Sequence, residues 1–181
     1  MWRRLRWILL AIVVALAAAV TTAVIVEKPA LDDDEQAVDV AWKPLRDSLD
    51  ARYATLDAAV TQLNALGESD RSVTKALVAD LAAWRKAVDS GSATDQADAA
   101  NDLEGTGLRL RANVLGSPRL NQDGTLTGTI AAFDTATPPV EQVKAYNNAV
   151  RTYEDDRTDT LRRGIALLFG FGARPLFSVP A

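Results

Sequence analysis

The chain has 181 residues, with 20 basic and 24 acidic side chains and a formal net charge of -4, and it contains no histidine and no cysteine. Those two absences exclude disulfides, the usual zinc, copper and haem ligands, and every nucleophile system that depends on an imidazole. Carboxylates, hydroxyls, lysine, arginine and tyrosine remain, and they form no pattern that marks a catalytic, cofactor-binding or metal site.

Residues 1–6 form a basic head carrying Arg3, Arg4 and Arg6. Residues 7–26 follow, reading WILLAIVVALAAAVTTAVIV, and none of these 20 is charged. At a rise of about 1.5 Å per residue, a helix of this length spans roughly 30 Å, the thickness of a bilayer's hydrocarbon core. Trp2 and Trp7 flank the run as interfacial aromatics, and Glu27, Asp32, Asp33, Asp34 and Glu35 lie beyond it. The basic excess before the run puts the N-terminus in the cytoplasm and the rest outside, as a single-pass protein of the cell membrane. A cleaved signal peptide, processed near Ala17, Ala18 and Ala19, is the alternative. Apolar character continuing through Val24, Ile25 and Val26 favours an uncleaved anchor. Removing the four bases and one acid of residues 1–28 leaves 16 basic and 23 acidic residues, a balance of -7. Such an acidic body argues against nucleic acid as a partner.

Residues 27–36 read as a linker that Pro29 and the acidic run keep extended or turn-like. From residue 37 to residue 181 the pattern predicts one extracytoplasmic helical-bundle domain. A long helix is expected from about Asp33 to Leu66, starting near Lys43 if Pro44 breaks it. Val38, Trp42, Leu45, Leu49, Leu56, Ala59, Leu63 and Leu66 step by three and four in the heptad rhythm of a coiled-coil seam, with Arg52 in the remaining slot. Gly67 suits its C-terminal stop. A second helix is expected from about Ser69 to Asp89, with Val73, Leu77, Leu81, Trp84 and Val88 on one face. Residues 93–115 are Ala-rich and helical in tendency, weakened by Gly105 and Gly107. A turn at Asn121–Gly124 and a short helix through Phe133 come next. A last long helix opens near Pro139, with Val143, Tyr146, Val150, Tyr153 and Arg157 at helical spacing. Gly170, Gly172 and Pro175 interrupt the apolar run that follows. The fold class is therefore all-α: an N-terminal transmembrane helix, then an antiparallel bundle of long helices.

Both ends of the chain carry recognisable motifs. Tyr146, Asn147, Ala149, Val150 and Tyr153 precede the apolar turn Leu168-Phe169-Gly170-Phe171, then Pro175 and Phe177. Near the start, Val38, Asp39, Ala41 and Trp42 precede Leu45, Leu49, Arg52, Leu56 and Val60. In this order, after a membrane segment, they resemble the LemA family, whose members show a Val-Asp-x-Ala-Trp opening and a Tyr-Asn helix followed by an LFGF-like turn. The chain departs from that pattern at Pro44, around Asp57, and in the TATPPVEQV stretch, as a divergent member would. The resemblance implies a membrane-anchored antiparallel bundle and brings no activity with it.

Each candidate residue has a functional and a structural interpretation. Arg52 and Arg157 could pair as a cationic site for an anion. The structural alternative has each reaching outward or pairing with an acid such as Asp156. The acidic runs Asp32, Asp33, Asp34, Glu35 and Glu154, Asp155, Asp156 lack the spacing of a calcium loop and read as solvated helix faces. Gly105-Thr106-Gly107 follows no strand and makes no phosphate loop. Trp42 and Trp84 read as core anchors. The turn from Phe169 to Phe177 could be an exposed aromatic docking site for a partner or the membrane surface, but capping of the bundle end is favoured. The expected function is a non-enzymatic interaction module of the cell envelope, held by its membrane helix, needing no cofactor and binding an envelope protein partner. The alternatives are a ligand- or peptide-binding module with a groove between helices, and an enzyme of unknown type.

Overall fold

The computed structural model describes residues 2–179, except for the side chains of residues 2–5, 8, 9, 11, 16, 17, 19, 20, 23 and 161. All regular structure among the described residues is helical: α1 (Trp2–Ala65), α2 (Ser72–Ser90), α3 (Ala93–Gly116), α4 (Pro118–Asn121), α5 (Gly124–Thr135), α6 (Val140–Thr158) and α7 (Thr160–Phe169). The chain divides into two compact units, one of Met1–Val38 with Arg151–Ala173, the other of Asp39–Val150 with Arg174–Ala181.

The expected linker at 27–36 is corrected: these residues lie inside α1, which runs without interruption past both Pro29 and Pro44. The reason is where the prolines point. Each removes one helical N–H and leaves the carbonyl four residues earlier without its partner. Here those carbonyls belong to Ile25 and Val40, and Pro29, Pro44, Ile25 and Val40 are all exposed. Both rings, and both residues four positions earlier, lie off the packed face, so the helix tolerates both prolines. Lys28 adds an i, i+4 ion pair to Asp32 at 2.7 Å. The buried positions of α1 run Leu31, Val38, Trp42, Leu45, Leu49, Arg52, Leu56, Ala59 and Leu63, the seam expected from the spacing, now begun one heptad earlier.

In the unit of residues 39–150 and 174–181, α1, α2 and α3 pack around that seam. Tyr53 and Trp84 meet edge to face at 5.1 Å, and the indole of Trp84 donates to Asp50. Along α2 and α3, Gln96 donates to the Ala87 carbonyl, Thr106 to Asp80, and Arg71 to Asn113. Partners rise on one helix as they fall on the other, so these neighbours are antiparallel. Ser92 caps α3 by accepting from the Asp95 N–H, and Asp123 caps α5 by accepting from Leu126. Gly107 lies within α3, where an added Cβ would sit 2.6 Å from the ring of Phe133 on α5. The glycine that weakens α3 locally is thus the seat of a core aromatic. Ser48 to Gln142 and Trp42 to Tyr146 align α6 antiparallel to α1 in this unit.

In the unit of residues 1–38 and 151–173, Glu27 bonds Arg162 at 2.7 Å, which sets α7 against α1. α7 ends at Phe169, at the interruption expected from Gly170. Gly170, at φ +79°, takes the left-handed conformation that closes a helix, and the Phe171 N–H reaches back to the Ala166 carbonyl at 2.9 Å.

Candidate functional site

The most demanding polar arrangement lies in the seam of α1. Arg52 is 3 % exposed and Glu104 fully buried. The Arg52 Nε donates to Glu104 Oε1 at 2.7 Å and its Nη2 to Oε2 at 2.9 Å, a bidentate fork. Its Nη1 donates to the Phe133 carbonyl, and the guanidinium stacks 3.6 Å from the centre of the Phe133 ring. Every nitrogen of Arg52 is therefore spent on the protein itself. Removing two charges from water is costly and is offset only when geometry and hydrogen bonding are complete, as here. Beside the pair, burial and then the charge of Glu104 push the Tyr53 hydroxyl well above its ordinary value. Tyr53 stays neutral and donates to the Ala100 carbonyl at 3.1 Å.

The structural alternative holds for Arg52 in its pairing form: the guanidinium is bound to an acid, though not to Asp156. Its acid is Glu104, on a helix the heptad pattern did not connect to it. Arg157 belongs to the other unit and is held by Glu154, with Nε at 3.0 Å and Nη2 at 2.5 Å.

The second arrangement is a cradle for the C-terminal segment, in the unit that contains residues 174–181. Trp42 stacks obliquely on Tyr146 at 4.9 Å and edge-on to Phe177 at 6.2 Å. Asn147 bonds both backbone groups of Phe177, donating to its carbonyl at 2.8 Å and accepting from its N–H at 2.9 Å. Asn101 does the same work across Leu176 and Ser178, donating to the first and accepting from the second. Burial raises the pKa of Tyr146, which donates to the Pro175 carbonyl at 2.7 Å. Arg174 donates to Thr94 at 2.7 Å and faces Asp39 at 3.4 Å. The extended segment thus has its backbone groups satisfied by side chains in place of a sheet. Trp42 and Trp84 are core anchors, and each indole has a polar partner, Gln96 in one case and Asp50 in the other.

In the remaining unit, Phe171 is buried and Tyr153 donates to the Gly172 carbonyl at 2.7 Å. Capping therefore describes Phe171 and Phe177, whereas Leu167, Leu168 and Phe169 stay exposed at 78, 70 and 44 %. Of the acidic residues, Asp32 pairs with Lys28, while Asp156 and Glu27 both pair with Arg162. Burial, then a hydrogen bond and repulsion from Asp156, raise the Asp34 carboxyl above its usual value. Among the described residues no group of three or more ligating side chains could hold a metal ion. Gly105, Thr106 and Gly107 lie inside α3, with Thr106 donating to Asp80 at 2.5 Å.

Sequence reasoning missed the Glu68 hub between α1 and α2. Glu68 bonds Arg71, pairs with Arg119 at 3.0 Å, and has its carboxyl pKa lowered, chiefly by Arg71. It lies after the heptad run, so no periodicity marked it. Among the described residues no helix is long and apolar enough to cross a membrane. Of the expected membrane segment, the side chains of residues 8, 9, 11, 16, 17, 19, 20 and 23 lie outside the described set, as do those of residues 2–5 and all of Met1. The chain matches no family model, no curated protein and no solved structure.

Proposed function

We infer that this chain is a membrane-anchored helical interaction module of the cell envelope, without enzymatic activity, and a divergent relative of the LemA family. One observation carries the anchor. Trp7, Leu10, Ile12, Val13, Val14, Ile25 and Val26 are all exposed, at 50–69 %. At 100° per residue, positions 12, 13 and 14 point in widely different directions. A helix whose described apolar residues face several sides and stay exposed is suited to lipid, where a helix satisfies nearly all of its backbone groups internally. The 20 uncharged residues of 7–26 and the arginines before them give its length and orientation.

The interaction role rests on what the bundle spends its polar groups on. Arg52, Glu104, Tyr53 and Tyr146 serve packing, leaving the surface to provide specificity. The anchor confines that surface to a plane and raises its local concentration near envelope partners. The kinship with LemA is supported by convergence of the two motif groups: Trp42 from the first touches Tyr146 and Phe177 from the second.

The test is crosslinking and affinity capture of the full chain from native membranes, beside protease accessibility in intact cells. An envelope protein captured in the crosslinked sample, with the bundle cleaved from outside, is the expected result. Protection of the bundle in intact cells with cleavage after lysis overturns the topology. Capture of no envelope neighbour above background overturns the interaction role.

A further inference from the structure

We propose that the apolar end of α7, formed by Leu167, Leu168 and Phe169, is a second membrane contact that dips into the lipid surface from which α1 emerges. The inference rests on the anchor reading above and adds a site to it.

Three observations within one unit lead there. First, Leu167, Leu168 and Phe169 are consecutive, large, apolar and exposed, although the same helix buries Ile165 and Ala166 against the protein. α7 is therefore amphipathic with an apolar tip left over, a feature that soluble surfaces seldom carry without a partner.

Second, the tip lies close to the end of the uncharged run. The Nζ of Lys28 lies 5.6 Å from the centre of the Phe169 ring and 5.8 Å from that of Phe171. Lys28 is two residues past Val26, about 3 Å along the helix axis. The ring of Phe169 thus lies where the uncharged run leaves the hydrocarbon, which is where aromatic side chains concentrate in membrane proteins.

Third, the charges near the tip suit a headgroup layer. Arg163 is exposed one turn before Leu167 on α7, and Lys28, which also pairs with Asp32, lies against the Phe169 ring. Basic groups behind an apolar tip let the tip enter the acyl boundary while the cations remain among the phosphates. A protein partner could cover the same residues, but it would have to occupy the level of the bilayer surface to do so.

The absence of cysteine makes the test direct. Single-cysteine variants Leu168→Cys and Val14→Cys of the full chain are labelled with an environment-sensitive fluorophore. They are reconstituted in phosphatidylcholine–phosphatidylglycerol vesicles with nitroxide lipids at shallow or deep positions. The Val14 label should be quenched by the deep nitroxide. The Leu168 label should be quenched severalfold more by the shallow nitroxide than by the deep one. Adding Leu167→Glu should return the Leu168 signal to its nitroxide-free level while the Val14 label stays quenched. A quenched Val14 label with an unquenched Leu168 label overturns this inference and leaves the anchor standing. If neither is quenched, the anchor reading falls and this inference with it. A Leu168 label that shifts to the blue yet responds to no nitroxide marks a protein contact and also overturns the proposal.

Discussion

Helix α1 contains two apolar stretches that behave in opposite ways. Between Trp42 and Leu63 the apolar residues recur at heptad spacing, and Trp42, Leu45, Leu49, Leu56, Ala59 and Leu63 are all buried. Between Trp7 and Val26 only Thr21 and Thr22 interrupt them, and Trp7, Leu10, Ile12, Val13, Val14, Ile25 and Val26 are exposed. The difference teaches that periodicity carries more information than hydrophobicity. A stripe seeks a protein partner, and an apolar surface all round the helix seeks a solvent that is itself apolar. The polar residues follow the same division. Arg52 sits within the stripe and is completely paired, while the bases flanking the uniform run, Arg6 and Lys28, stand at its two ends.

The comparison is broken most severely by leaving a charge alone in the stripe. Arg52→Leu strands the buried Glu104 carboxylate and should cost about 3–5 kcal/mol in chemical denaturation. The double variant Arg52→Leu, Glu104→Leu should recover much of that loss. If the single variant unfolds at the parent's denaturant concentration, the pair is not buried as described.

The next effect sharpens the packing side. Gly107→Ala places a methyl 2.6 Å from a ring carbon of the fully buried Phe133, which must shift to admit it. It should cost about 1–3 kcal/mol by overpacking, despite the better helix propensity of alanine. A gain in stability would mean that Phe133 moves aside without penalty. By contrast, Val13→Ala should change folding stability by about 0.5 kcal/mol or less, because that side chain is largely exposed.

Whether these elements could be read from the sequence depended on how local their cause is. The α1 seam was legible because heptad spacing is a property of one segment. So was the special character of slot 52, but its partner was not. Glu104 lies 52 positions away, and only the rotation of α3 about its axis brings it to Arg52. The continuity of α1 through Pro29 and Pro44 was missed because proline's local cost is the same on either face of a helix. What decides the outcome is whether the proline falls on the packed face, a tertiary property. Tyr146, Asn147 and Phe177 were legible as a motif. That Asn147 bonds the backbone of Phe177 required the chain to reverse after Gly170.

The smallest expected effect concerns pH in the unit of residues 1–38 and 151–173. The folded protein raises the Asp34 carboxyl, through burial first and Asp156 second. Between the unfolded and the raised folded value, the folded state therefore holds more proton than the unfolded chain. The stability this contributes is present below the unfolded value and is lost as pH rises through the folded one. Asp34→Asn should flatten that decline, seen as a smaller change in thermal midpoint across the carboxylate range. An unchanged slope would assign the decline to other groups.

The central claim is that one uninterrupted helix enters lipid at its start and a protein core at its end. Alkaline carbonate extraction of membranes from cells making the full chain tests it most directly. The intact, uncleaved protein should stay with the lipid pellet after extraction. Intact protein released into the supernatant, or a product lacking residues 1–26, would contradict it.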